Sequence, residues 1–219
     1  PAEYIIRHGY IFGPGVNLRD KDLSGVNLSG INLLNANLTN TNLTNATLTG
    51  VISGSITPAD GSGVTLPAEY IIRHGYIFGP GVNLGGANLS VVDLSGINCP
   101  NVSFASANFT NATLTNVILT NANFIYATLT NATLTNVILT NAKLTNATLT
   151  NATLTNAILT GVTSSGITDF SGVTLPAEYI IRNGYIIGPG ADLSGADLSG
   201  ANLTGVNLVG ANLTGATLT

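Results

Sequence analysis

The sequence predicts an all-β fold, a parallel β-solenoid wound from five-residue units with about four units to a coil. Leucine recurs every fifth residue in three blocks, Leu18 to Leu48, Leu84 to Leu159 and Leu193 to Leu218, with Cys99, Phe104, Phe109 and Phe124 taking its place in register. Two residues before each sits a small or β-branched residue, nearly always Ala or Val, and the other three positions are Asn, Thr, Ser, Gly or Asp. The third observation is a superperiod of twenty: Ile118, Ile138 and Ile158 share one slot, as do Val117 and Val137, and Phe104 and Phe124. A period of five fits neither an amphipathic helix at 3.6 nor an alternating strand at 2. Leucine and the residue two before it share one face of a short strand. A turn must follow within the unit, so the chain coils with these two inside. Ala112, Leu114, Val117, Leu119, Phe124 and Leu129 are the inward core of the central block.

In order along the chain, one continuous solenoid is expected. Residues 1–15 hold the first copy of a second motif and residues 16–50 the first repeat block. Residues 51–81 are an irregular segment with motif copy two, and residues 82–163 are the second block. Residues 164–190 are irregular with motif copy three, and residues 191–219 are the third block. The motif runs from Pro1 to Leu18 and again, identically, from Pro67 to Leu84; Pro176 to Leu193 differs at a few positions. Eighteen residues separate Leu48 from Leu66 and Leu66 from Leu84, close to one coil, so the motif reads as a modified coil. The alternative is a projecting β-hairpin, because Asn183-Gly184 between Tyr179–Arg182 and Tyr185–Ile187 is a two-residue turn signal. His74-Gly75 stands in the same place in copy two.

Units such as Ala36-Asn37-Leu38-Thr39-Asn40, Ala196-Asp197-Leu198-Ser199-Gly200 and Ala201-Asn202-Leu203-Thr204-Gly205 resemble the pentapeptide-repeat family. About two thirds of the chain follows that register. The resemblance implies a right-handed quadrilateral β-helix.

Composition excludes several function classes. Ten acids and six bases leave a net charge of −4, and only 7% of residues are charged. Nucleic-acid binding needs clustered Lys and Arg, so no nucleic-acid partner is expected. No apolar run approaches the roughly 20 residues that span a bilayer, so no membrane insertion is expected. Cys99 is the single cysteine, which excludes an internal disulfide framework. It occupies an inward slot and reads as a buried structural thiol.

Few side chains could carry chemistry. His8 and His74 are replaced by Asn183 in the third motif copy, and His and Asn both tolerate positive φ, so a turn role fits better than a base or ligand. No Cys/His spacing suits a metal. Glu3, Glu69 and Glu178 recur with Arg7, Arg73 and Arg182 and are expected to be solvated. The Gly-Pro-Gly segments at 13–15, 79–81 and 188–190 lack the Lys-Ser/Thr of a phosphate loop and read as corners. Lys21 occupies an Ala/Val slot, where a bulge should let it snorkel outward. The Asn-x-Thr/Ser triplets follow from the repeat itself. No enzyme, cofactor, metal or small-molecule substrate is expected.

Function should therefore lie in surfaces and ends. Ile118, Ile138 and Ile158 should form an outward apolar stripe, and Thr113, Thr133 and Thr153 a threonine ladder beside it. Pro1 opens inside a motif copy and Thr219 stops in register, as in an excised piece of a longer array or a subunit that stacks end to end. The leading expectation is a structural scaffold that assembles with itself, end to end or laterally, in an extracellular or surface-associated setting. Two alternatives are a DNA-mimic module, as in the gyrase-inhibiting quinolone-resistance members of the family, and an ice-binding solenoid with threonine ladders. The acids here are sparse and form no stripe, which departs from the DNA-mimic pattern.

Overall fold

The structure, a computed structural model, describes residues 4–219. It contains two compact units, Pro1–Leu84 and Gly85–Thr219. Each is wound from parallel rungs that pair with residues twenty positions on. In the second unit the outward residues form four columns. Asn88, Asn108, Thr128 and Thr148 form one; Asp93, Thr113, Thr133 and Thr153 the next; Asn98, Ile118, Ile138 and Ile158 the third; Ser103, Asn123, Lys143 and Thr163 the fourth. Four columns at a spacing of twenty make a four-sided coil of pentapeptides. The first unit repeats this with Asn17–Asn37–Thr57, Asp22–Asn42, Asn27–Thr47 and Asn32–Ile52.

The turn explains the five-residue period. The carbonyl of most inward Leu and Phe residues accepts the N–H three residues on, as from Ala112 to Phe109 (2.9 Å) and from Ala132 to Leu129 (3.0 Å). The last residue of the unit has positive φ, as at Asn111 (59°), Asn131 (57°) and Gly161 (70°). This is the pattern of a type II turn, whose third residue must be left-handed and is therefore Gly or Asn. Where the outward residue is Asn or Asp, its side chain caps the turn: the Thr39 N–H donates to Asn37 Oδ1 at 3.0 Å. The same capping by Ser24 and Ser199 hydroxyls and N–H groups holds the carboxyls of Asp22 and Asp197 below the usual carboxylate range.

Inside, Leu114, Leu119, Leu129, Ala112 and Val117 are buried. Phe104, Phe109 and Phe124 pack against one another with ring centroids 4.9 to 5.7 Å apart. Edge and tilted contacts at these distances add to area burial. Cys99 is buried and forms no disulfide.

The motif corrects the sequence reading. It is a β-hairpin, not a modified coil: β1 (Ile5–Arg7) pairs with β2 (Tyr10–Phe12), β3 (Ile71–Arg73) with β4 (Tyr76–Phe78), and β5 (Ile180–Arg182) with β6 (Tyr185–Ile187). Yet hairpins two and three do not project. Thr153 pairs with Thr174 and Thr163 with Asp192, while Leu149 donates to Asp169. Three of the four columns thus continue, and hairpin three stands where a residue would stack on Ile158. Its tip reaches the opposite side, where Ile167 donates to the Gly184 carbonyl at 3.2 Å. The hairpin therefore lies across the lumen as a septum. Ile181 and Ile186 are buried, and Ile187, Ile180 and Tyr185, on the alternate strand face, pack with Leu193 and Leu198 of the next coil. Hairpin two does the same in the first unit, replacing the member above Thr47 while Ile52 pairs with Asn83.

Lys21 is the second correction. Its side chain is exposed, but there is no bulge: its N–H donates to Leu18 at 3.1 Å and its carbonyl accepts from Asn42 at 2.9 Å, as in a regular unit. Only the side chain leaves the interior. Glu3 lies outside the described residues.

The aromatic cluster sets the local packing of the second unit. Replacing Phe124 with Ala should lower unfolding free energy by about 3–5 kcal/mol, whereas Phe124→Leu, which restores the repeat's own residue, should cost less than about 1.5 kcal/mol. Urea titration of the two variants distinguishes them.

Candidate functional site

The isoleucine column lies on one side of the second unit. Ile118 and Ile158 are exposed and Ile138 is half-buried between them. The backbone fixes their register: Ile138 donates to Val117 at 2.9 Å and accepts from Leu119 at 2.8 Å. One edge is an amide ladder in which Asn136 donates to Asn116 (3.0 Å) and Asn156 to Asn136 (3.2 Å). Thr120, Thr140 and Thr160 follow on the other edge. The stripe ends under hairpin three. Its flatness comes from the sheet ladder, and its apolarity from three β-branched side chains stacked in one slot.

Thr113, Thr133 and Thr153 stack as parallel bridges on the adjacent side, each half-buried. The far corner carries a second amide ladder, Asn151 to Asn131 to Asn111, at 3.1 and 3.0 Å. Charged groups are scattered: no bridge pair among the described residues joins two acids. That leaves no acidic stripe of the DNA-mimic kind.

The turn residues sit at the hairpin tips. His8, His74 and Asn183 have φ of 49–51°, followed by Gly9, Gly75 and Gly184 at 75–79°, the two-residue type I′ pattern. A Cβ on Gly75 or Gly184 would also press within 3.0–3.2 Å of the backbone of the segment beneath. The Gly-Pro-Gly corners bind the motif's tyrosines. Tyr4, Tyr70 and Tyr179 each donate their hydroxyl to the proline carbonyl, of Pro14, Pro80 and Pro189 respectively, at 2.5–2.9 Å. Arg7 donates to the Asn27 carbonyl and Arg182 to that of Ile181, while Glu178 accepts from Asn207. These three are therefore tied to the protein rather than only solvated. A polar cleft of about 330 Å³ beside hairpin three is lined by Glu178, Arg182, Asn202, Thr204 and Asn207.

Two residues escaped the sequence reading. Ser53 and Ser164 are buried, and their hydroxyls accept the N–H of Ile77 (2.9 Å) and Ile186 (2.8 Å). Each stands five residues after a leucine, Leu48 or Leu159, in the slot where leucine is due. That substitution is the signal for a hairpin seat. Among the described residues no group of His, Cys, Asp or Glu could hold a metal, and no helix is long and apolar enough to cross a membrane.

Comparison with known families matches pentapeptide repeats, in eight copies over residues 15–52, 83–121, 122–161 and 190–219. The chain belongs to the pentapeptide-repeat family. Among solved structures it is similar to HetL, a pentapeptide-repeat protein involved in heterocyst differentiation regulation from the cyanobacterium Nostoc sp. strain PCC 7120. That match has 26% identity over 94% of this chain and 88% of the other, with a TM-score of 0.33. Rfr23 from the cyanobacterium Cyanothece 51142 matches at 25% identity over 71% and 84%, with a TM-score of 0.27. QnrB1, a plasmid-mediated fluoroquinolone resistance protein, matches at 17% over 91% and 89%, with a TM-score of 0.25. At these scores the fold assignment rests on the repeat itself. No curated protein matches the chain.

The pentapeptide coil tolerates a charge in an outward slot, since Lys143 keeps its bridges to Asn123 and Thr163. Ile138→Lys should therefore leave the fold intact, with a loss of less than about 1 kcal/mol by thermal unfolding, while placing a charge in the middle of the apolar stripe.

Proposed function

We propose that this pentapeptide-repeat chain is a non-enzymatic structural scaffold, a segment or subunit of a longer fibre, filament or surface array built by solenoid continuation or end-to-end stacking. One observation carries this reading. After each transverse hairpin the parallel ladder resumes in register, from Ile52 to Asn83 and from Thr163 to Asp192. A ladder that absorbs an insertion and resumes can be lengthened, each coil adding its own stability and one interface. The partner in this reading is another copy of the chain or a like solenoid. Head-to-tail contacts that do not close generate open filaments, and a chain in which only 7% of residues are charged offers little repulsion to stacking. An extracellular or surface-associated setting belongs to the same reading. Negative-stain electron microscopy of the purified protein tests it. Filaments much longer than one chain are expected; monodisperse short particles at high protein concentration would overturn it.

A second reading rests on Thr113, Thr133 and Thr153. Parallel pairing holds these threonines about 4.8 Å apart in an uncharged array of hydroxyl and methyl groups, a surface that suits ordered water. If it binds ice, the protein slows ice recrystallisation and Thr133→Lys removes the effect. Unchanged ice growth at micromolar protein sinks this reading.

A further inference from the structure

Hairpin three interrupts one corner of the second unit. Up this corner each coil bonds to the next: Ser106 donates to the Ile125 carbonyl, Tyr126 to Thr145 and Asn146 to Ser165, at 2.7–3.0 Å. The series then meets the hairpin tip, where Ile167 donates to Gly184. Beside the tip Asp192 still pairs with Thr163, and next to that joint is a polar cleft of about 220 Å³. Thr145, Thr163, Ser165, Tyr185, Asp192 and Ser194 line it.

These groups are placed to meet hydroxyls. Ser165 donates to Thr145 Oγ1 at 3.5 Å. The Tyr185 hydroxyl oxygen accepts the Asp197 N–H at 3.3 Å, which leaves its own proton to donate. The Ser194 N–H and the Asn212 amide both donate to Asp192 Oδ1, which leaves Oδ2 to accept. The matching place at hairpin two is different. Leu34 stands there for Thr145 and Gly54 for Ser165, and a Cβ on Gly54 would meet the Leu34 side chain at 3.0 Å and the Tyr76 ring at 3.1 Å. Seating a hairpin therefore does not require the hydroxyls.

One coil below Thr145, Tyr126 breaks the corner rule. It is 62% exposed and has φ of 61°, where the corners above and below it are Asn146 and Ser106. A bulky residue in the left-handed region is an outlier. Such strain, held where the repeat's own Asn would be relaxed, points to a use. An exposed aromatic ring beside a cleft of hydroxyls and one carboxylate matches the chemistry of a sugar. The ring stacks on the apolar C–H face of a pyranose, and the polar groups bond its hydroxyls and fix its orientation. No Lys or Arg lines the cleft, so it lacks the bidentate cations that favour a phosphate or carboxylate ligand.

We propose that this corner of the second unit binds a neutral oligosaccharide. One pyranose stacks on Tyr126, and the following rings are held in the cleft by Asp192 Oδ2, Tyr185 and the hydroxyls of Thr145, Ser165 and Ser194. Coils lie about 4.8 Å apart, so Tyr126 and Ser165, two coils apart, are spanned by a short run of linked rings. The site lies within one chain and needs no assembly, so it goes beyond the scaffold reading.

Cellotriose, maltotriose and triacetylchitotriose, each titrated into the whole protein, test the site through the amide resonances of Tyr126, Ser165 and Ser194. Saturable shifts at all three amides are expected with at least one of the trisaccharides. Tyr126→Asn restores the repeat's own corner residue, so it should fold at least as stably, which thermal unfolding verifies. Loss of the ring should weaken binding about tenfold, while Tyr126→Phe should keep it. Asp192→Asn introduces the residue that copy two of the motif carries as Asn83, and loss of the charged acceptor should also weaken binding about tenfold. No shift with any of the three sugars at millimolar concentration would overturn the proposal, and so would binding that neither Tyr126→Asn nor Asp192→Asn weakens. Trisaccharide binding by a protein that micrographs show as short particles keeps this site and removes the scaffold.

Discussion

The parallel hydrogen bond between a backbone group and its partner twenty residues on is the constraint from which everything else in this molecule follows. It requires each coil to return the chain to the same place after four units. Each unit must therefore turn a corner within five residues, which needs a left-handed residue at its end. Asn and Gly hold that position almost throughout, with φ between about 54° and 74°. Asn adds what Gly cannot. Its side chain reaches the asparagine of the next coil, so corner strain of about 1 kcal/mol per non-glycine residue is offset by an amide ladder. The corner and the ladder thus stabilise each other, and the repeat stays pure because either alone is weaker.

The same constraint narrows the lumen and selects the core. Two inward residues per unit face their counterparts above and below, one long and one small. Where Phe replaces Leu, the neighbours Ala107, Ala112, Ala122 and Ala127 leave room for three rings in contact. Packing near crystal density tolerates such a change only if it is shared among adjacent slots, which explains why the phenylalanines cluster within 21 residues.

How far the sequence could be read follows from how local each feature is. The five-residue period, the inward slots and the four-unit coil are legible because every unit repeats them. The hairpins are not, for two physical reasons. Their strands are three residues long, too short to show alternation, and the eighteen-residue leucine spacing imitates a coil. The His-Gly turn of copies one and two is also a weaker signal than Asn183-Gly184 in copy three. Lys21 misled in the other direction. A charged residue in an inward slot suggested a deformed backbone, but the side chain alone adjusts, because a long aliphatic stem is easier to redirect than a ladder bond is to break. The outward isoleucine and threonine columns needed only the superperiod, since stacking on a ladder leaves no freedom of register.

The septum changes how the solenoid holds together. In an unbroken coil, apolar contact passes directly from one lumen layer to the next. At hairpin three it passes through alternate faces of two short strands, with Ile181 and Ile186 toward the preceding coil and Ile180, Tyr185 and Ile187 toward the next. The backbone ladder is carried past it by the other columns. Coupling between the layers on either side then depends on the hairpin being folded, while each side keeps its own ladder. In a repeat array whose stability is a sum of units and interfaces, such an element divides cooperativity. It also presents an apolar face that is finished only when a coil lies against it, so a hairpin covered on one side alone is an incomplete interface.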